Sequence, residues 1–370
     1  MKYTICHLST GHNADDVRFF FKECISLSKV KNYKVIICAP GSIPPGSGVI
    51  HFKISNPVSS RLIRFINSQL IFLKLIFKIK ADVWHIHDPE LLPVAVILTY
   101  MKRRVIWDSH EDYYLQFKSN INYRKYIPNY LRPIFRYTVY FLLNRIDQKA
   151  AGIIGPSVSI IEKYSNPNVK LVGNEALLKD FSSCAPKFKN NTVLFIGQLD
   201  SSHCYREIVD AVFNIPELKL VVATKVFNKR EIDYSSLILN HRFQYLGWLD
   251  RENLSAAISD SSVGLVTYNY NLNHSDNQPN KFYEFCAAGL PILATPTLFN
   301  NNLIKNSKAG VLTSGYESKS IKIALLELLS SEKYWLNCSE SGRDWAKING
   351  SWAESESSLL KLYAKVLENN

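Results

Sequence analysis

Short apolar runs alternate with longer helix-period segments twice along this chain, and that doubling constrains the fold more than any other feature of its 370 residues. Runs at 2–8, 33–39, 49–54, 82–86, 105–107 and 152–155 read as strands, and 17–27, 58–80, 89–101 and 132–150 as helices. Strands that are apolar throughout belong in a sheet covered on both faces, which is a parallel sheet with helical crossovers. A polar stretch within 165–189, rich in Asn, Pro, Ser and Lys, interrupts the pattern. It then restarts with strands at 192–197, 218–223, 243–247, 264–268, 292–295 and 310–312. The expected fold class is α/β: two doubly wound Rossmann-like domains facing a central cleft, at 1–165 and 166–350, followed by a helix at 351–370. Ligands of such sheets lie outside the carboxyl ends of the strands.

Composition narrows the function classes. The longest clean apolar run, 91–101, is too short to span a bilayer, and 62–79 is interrupted by Arg64, Lys74 and Lys78. The chain opens directly into strand-like sequence with no signal peptide, so a cytoplasmic protein is expected. Seven scattered cysteines without a Cys-x-x-Cys pair predict reduced core thiols and no zinc site. Net charge is +12, and residues 61–149 hold 15 Lys and Arg against 7 Asp and Glu. At 61–80 and 123–137 those cations are interleaved with bulky apolar and aromatic groups, which suits an interfacial helix on anionic lipid. A buried helix with cations on its solvent side fits 61–80 equally well. Nothing resembles a zinc finger, an RNA recognition motif or a P-loop, so no nucleic-acid partner is expected.

The most telling segment is Asp276-Asn-Gln-Pro-Asn-Lys281-Phe-Tyr-Glu284-Phe-Cys-Ala-Ala-Gly289-Leu-Pro291. It reads as an acidic loop, a short helix ended by Pro291, and a buried strand. Two acids with seven residues between them, beside a helix N-terminus, suit a ligand carrying both hydroxyls and anionic groups. The bland alternative is an acid in a helix's first turn complementing its dipole.

This segment resembles the donor-site signature of GT-B glycosyltransferases, specifically the retaining enzymes of glycosyltransferase family 4. The resemblance implies that Glu284 holds the donor's ribose hydroxyls and Asp276 the sugar hydroxyls, with Asp in place of the family's Glu. It implies a nucleotide diphosphate sugar as substrate, no cofactor and no metal. The last helix resembles the family segment that crosses back onto the first domain. The pattern Val105-Ile-x-x-x-His110 is similar to that of the first-domain histidine that contacts the transferred sugar. After the 192–197 strand the family carries an Arg and a Lys for the diphosphate; this chain has Gly197-Gln198-Leu-Asp-Ser-Ser-His203-Cys204-Tyr-Arg206. The leaving group departs as an anion and needs a replacement cation. Lys281 is the first candidate, followed by Arg206, Arg18 and the helix N-terminus near Lys281. Trp248 follows the strand at which the family receives the nucleobase, and a surface tryptophan fits equally.

On the first-domain side the loop His12-Asn-Ala-Asp-Asp16-Val-Arg18 opens a helix that Asp16 either caps or uses toward an acceptor. Asp88, Glu111 and Asp112 stand at strand ends, where they can act on the acceptor or serve as base in an inverting reaction. His85, in mid-strand, is expected in the core. The expectation is a glycosyltransferase, with retention, that moves sugar to a hydroxyl of a growing surface glycan linked to polyprenyl diphosphate at the inner membrane face. A UDP-sugar 2-epimerase of the same architecture and a non-catalytic scaffold partner of another transferase are the alternatives.

Overall fold

The computed structural model describes residues 2–54, 61–115, 127–225, 237–269 and 278–368. Two compact units divide the chain: Met1–Gly173 with Ala353–Asn370, and Asn174–Trp352.

The first unit is a seven-stranded, all-parallel sheet of order β3-β2-β1-β4-β5-β6-β7. Its strands are β1 Tyr3–Leu8, β2 Tyr33–Ala39, β3 Ile50–Lys53, β4 Val83–Ile86, β5 Arg104–Asp108, β6 Gly152–Gly155 and β7 Val169–Leu171. The chain order reverses beside β1, so the loops after β1 and β4 are neighbours at the carboxyl edge, where such sheets bind ligands. The segment expected to be linker therefore contributes β7. Its three residues, Val-Lys-Leu, are too few and too exposed to give an apolar run.

The expected helix at 17–27 is a widened π-type helix, Val17–Cys24, continued by Ile25–Ser28. Asp16 caps it, accepting from the backbone N–H groups of Arg18 and Phe19 at 3.0 Å each. The helix Arg61–Lys78 buries Ser68, Phe72 and Ile76 on one face. Its other face exposes Ile66, Leu70 and Phe77 beside Lys74 and Lys78. One face is thus that of a buried helix with cations on its solvent side, as the second reading expects. The C-terminal helix Trp352–Glu368 packs its Tyr363 wholly into the first unit, with the phenol 2.8 Å from His85 Nδ1. His85 is in the core, as expected.

The second unit is a six-stranded parallel sheet, β10-β9-β8-β11-β12-β13. The strands are β8 Thr192–Ile196, β9 Lys219–Ala223, β10 Phe243–Tyr245, β11 Val263–Val266, β12 Ile292–Ala294 and β13 Gly310–Leu312. The helix Asn280–Ala288 ends one turn before Pro291, at Gly289, whose φ of +70° is a left-handed conformation that a side chain disfavours. A Cβ there would also fall 1.9 Å from Arg343 Nε. Arg343 needs that space because its guanidinium donates to the Ala288 and Cys184 carbonyls, both at 2.7 Å, placing a cation on the helix C-terminus.

Candidate functional sites at the two strand edges

In the second unit, β8 and β11 lie side by side, and the first turn of the helix Asn280–Ala288 brings Lys281 to their carboxyl end; Lys281 and Glu284 are both buried. Lys281 Nζ donates to the Ile196 carbonyl at 3.3 Å and sits over the rings of Phe195 and Tyr268, at 4.5 and 5.2 Å. Burial among these groups lowers its pKa from 10.5 to about 7. An anion arriving beside it would restore the charge. Immediately after β8, Gly197 has a φ of +112° and open space where a Cβ would stand, so backbone is exposed at the strand end.

The loop that follows binds itself. Exposed Gln198 donates to Asp200 at 2.8 Å, and His203 Nδ1 lies 2.8 Å from Asp200, which also caps the turn through Ser202 N–H at 3.0 Å. Burial opposes ionisation of Asp200, but Ser202 and His203 outweigh it and hold its pKa below the usual carboxylate range. Cys204 adopts a φ of +60°, a left-handed conformation. Arg206 is exposed, its Nε 3.1 Å from the Tyr205 hydroxyl. Trp248 is 65% exposed, with Lys225 Nζ 5.8 Å from its ring. Asp276 lies outside the described residues.

In the first unit, Asp88 caps the loop after β1. Its Oδ2 accepts from Ser9 Oγ at 2.7 Å, Thr10 N at 2.6 Å and Gly11 N at 3.0 Å, while Oδ1 lies 3.0 Å from His12 Nδ1. Burial works against the Asp88 charge, yet His12 and these donors hold its pKa well below normal. Burial likewise works against a charged His12, and its hydrogen bond to Asp88, with the nearby charges of Asp88, Asp16 and Asp108, raises it from 6.5 to about 9. The sequence reading has His12 at the head of this loop and gives it no role. Its signal is the adjacency of the loops after β1 and β4, which only the strand order supplies.

Beside this pair, His110 Nε2 lies 3.2 Å from Asp108 Oδ2, and the His12 and His110 rings are 4.8 Å apart. Burial keeps His110 well below its ordinary pKa against the pull of Asp108. Asp112 is ion-paired with Lys163 and accepts from Leu115 N at 2.9 Å. Glu111 is exposed, and its carbonyl accepts from Ser109 Oγ at 3.1 Å.

Arg18 corrects the sequence reading that offered it to a diphosphate. The side chain is buried, with Nε 3.3 Å and Nη2 3.1 Å from the two Asp108 oxygens, and Nη1 donates to the Val172 and Gly173 carbonyls at 2.8 Å each. The guanidinium fork is committed to a buried carboxylate and to the end of β7.

Residues 179–345, inside the second unit, match the family model of glycosyl transferases group 1. No curated protein sequence matches the chain. Among solved structures, sucrose-phosphate synthase from Thermosynechococcus elongatus is 15% identical over 100% of both chains, with a TM-score of 0.78. HepE of Anabaena, solved with UDP and glucose, is 11% identical over 98% of this chain and 99% of its own, at 0.74. WaaG, a glycosyltransferase involved in lipopolysaccharide biosynthesis, is 12% identical over 97% and 99%, at 0.71. At these identities the likeness establishes the fold, which is GT-B with two Rossmann-like domains.

Proposed function

We propose that this protein is a glycosyltransferase that takes a sugar from a nucleoside diphosphate donor and passes it to an acceptor hydroxyl. The observation that carries the reading is the pair Lys281 and Glu284, buried together on one short helix whose first turn stands at the carboxyl end of β8 and β11, within the segment that matches glycosyl transferases group 1. Lysine and glutamate three residues apart share a helix face. There Lys281 would hold the diphosphate and Glu284 the ribose hydroxyls, with the exposed backbone at Gly197 letting phosphate approach. HepE, a structural neighbour, was solved with UDP and glucose, which supports a nucleotide sugar as the donor. The reaction proceeds with retention, the donor phosphate receiving the acceptor proton. It needs no metal or cofactor for the transfer.

The acceptor is a surface glycan carried on a lipid diphosphate. Supporting it are the exposed Ile66, Leu70 and Phe77 of the helix Arg61–Lys78, and Ile134, Tyr137 and Phe141 of the helix Arg132–Lys149, set among lysines and arginines. Cations mixed with exposed rings suit an anionic bilayer surface. Among the described residues no helix is long and apolar enough to cross a membrane.

Calorimetric titration of nucleoside diphosphates, followed by a screen of nucleotide sugars for hydrolysis, tests the reading. Binding to the wild type that is lost in Glu284→Gln supports it. Tight binding without turnover toward any sugar favours the scaffold alternative. Exchange at the sugar C2 favours the epimerase.

A further inference from the structure

We propose that His7, Glu23, His85 and His87 form a buried site for a divalent transition-metal ion, with zinc the best match, that ties β1, β4 and the helix Val17–Cys24 together. All four side chains are fully buried. Each offers one ligand atom, and these atoms lie within 4.8 Å of one another. His7 Nδ1 is 2.9 Å from His87 Nε2, and Glu23 Oε2 is 4.0 Å from His87 Nε2. A tetrahedral zinc with bonds of about 2.0–2.1 Å sets its ligand atoms about 3.4 Å apart, inside the range these spacings bracket. Three imidazoles and one carboxylate in a closed pocket is a donor set for zinc, whereas magnesium and calcium take oxygen ligands.

Two further observations separate this cluster from an ordinary buried polar network. The first is what the cluster leaves unsatisfied. Glu23 Oε1 is ion-paired with Arg18, but Glu23 Oε2 and His85 Nε2 have no hydrogen-bond partner. A fully buried carboxylate oxygen left in that state is costly, and a metal bond satisfies it. Arg18 Nε lies 3.2 Å from Glu23 Oε1, while Oε2 is the oxygen toward the histidines.

The second is the arrangement behind the ligands. His87 turns its other nitrogen, Nδ1, to Asp108 Oδ2 at 3.3 Å, and His7 turns Nε2 to the Tyr363 hydroxyl at 3.4 Å. Metal-bound histidines are oriented in this way, by a carboxylate or another oxygen on the second ring nitrogen. Asp108 also brings a negative charge next to the ion.

With every ligand buried, the ion is structural and independent of the transferase reading.

The test uses untagged full-length protein. Elemental analysis after dialysis is expected to find about one zinc per chain. Stripping with a chelator should lower the melting temperature, and Zn2+ alone should restore it. Co2+ added to stripped protein should give the intense visible bands of four-coordinate cobalt. Glu23→Gln keeps the shape and removes the anion, and should weaken Co2+ binding at least tenfold. A metal-free wild type whose melting temperature ignores Zn2+, and whose Co2+ spectrum is that of the weak six-coordinate ion, overturns the proposal whether or not the variant folds. So does a bound ion that persists in Glu23→Gln and disappears in His110→Ala, which would place it on His87, Asp108 and His110 instead.

Discussion

His12 Nδ1 lies 3.0 Å from Asp88 Oδ1, joining two loops that are 76 residues apart in sequence and adjacent only because β1 and β4 are neighbours. The pairing raises His12 from 6.5 to about 9, so the folded chain holds a proton that the unfolded chain releases near 6.5. A base with a raised folded pKa stabilises fully below the unfolded value, and the contribution disappears as pH climbs through the folded one. The wild type's advantage over His12→Asn in urea midpoint should therefore be largest below pH 6.5 and shrink steadily toward pH 9. An advantage that stays constant from pH 6 to 9 would show that His12 is not charged in the fold.

Arg18 and Asp108 make a buried bidentate pair, and breaking one member leaves an unpaired charge in the core. That typically costs about 3–5 kcal/mol. Arg18→Met should lose stability of this order in urea unfolding. Arg18→Lys should recover only part of it, because an ammonium cannot reach both Asp108 oxygens and the Val172 and Gly173 carbonyls together. A loss below about 1 kcal/mol for Arg18→Met would contradict the buried pair.

The exposed rings of the first unit carry the membrane expectation. Tyr137 and Phe77 are each 74% exposed, on two helices that also hold lysines and arginines. Each cation near an anionic bilayer contributes about 1 kcal/mol, and each inserted ring adds apolar burial. The protein should float with vesicles rich in anionic lipid at low salt, less at high salt, and less again in Phe77→Ser with Tyr137→Ser. Equal recovery with neutral and anionic vesicles would remove the membrane from the proposed function.

Both sheets were legible because parallel strands covered on both faces are apolar over most of their length, as β1, β2 and β8 are toward their carboxyl ends. Strand β7 was not, since a three-residue edge strand with two exposed positions leaves no pattern. The helix that carries the candidate donor pair was legible because Lys281 and Glu284 are close in sequence, and both lie on Asn280–Ala288. Arg18 was misread because the carboxylate that claims it is 90 residues away, and His12 was passed over because Asp88 reaches it from another strand. A charged residue near a strand end looks the same in sequence whether it faces a ligand or a buried partner. Only the strand order tells them apart.

Lys281 distinguishes a working donor site from a decorative one. Burial against Phe195 and Tyr268 lowers it to about 7, so near neutrality about half of the molecules hold the charge. A diphosphate beside the ammonium favours the charged form and pulls the pKa back up. At pH 6 the cation is already present and binding draws no proton there. Above pH 7 each binding event must take up a proton, and affinity should fall by up to about tenfold per pH unit. Calorimetry of nucleoside diphosphate binding in buffers of different ionisation enthalpy, between pH 6 and 8.5, reads both the affinity and the proton count. Lys281→Met should bind weakly and with a flat profile across that range. If the wild type is equally flat, Lys281 does not hold the phosphates, and Arg206 becomes the cation to test next.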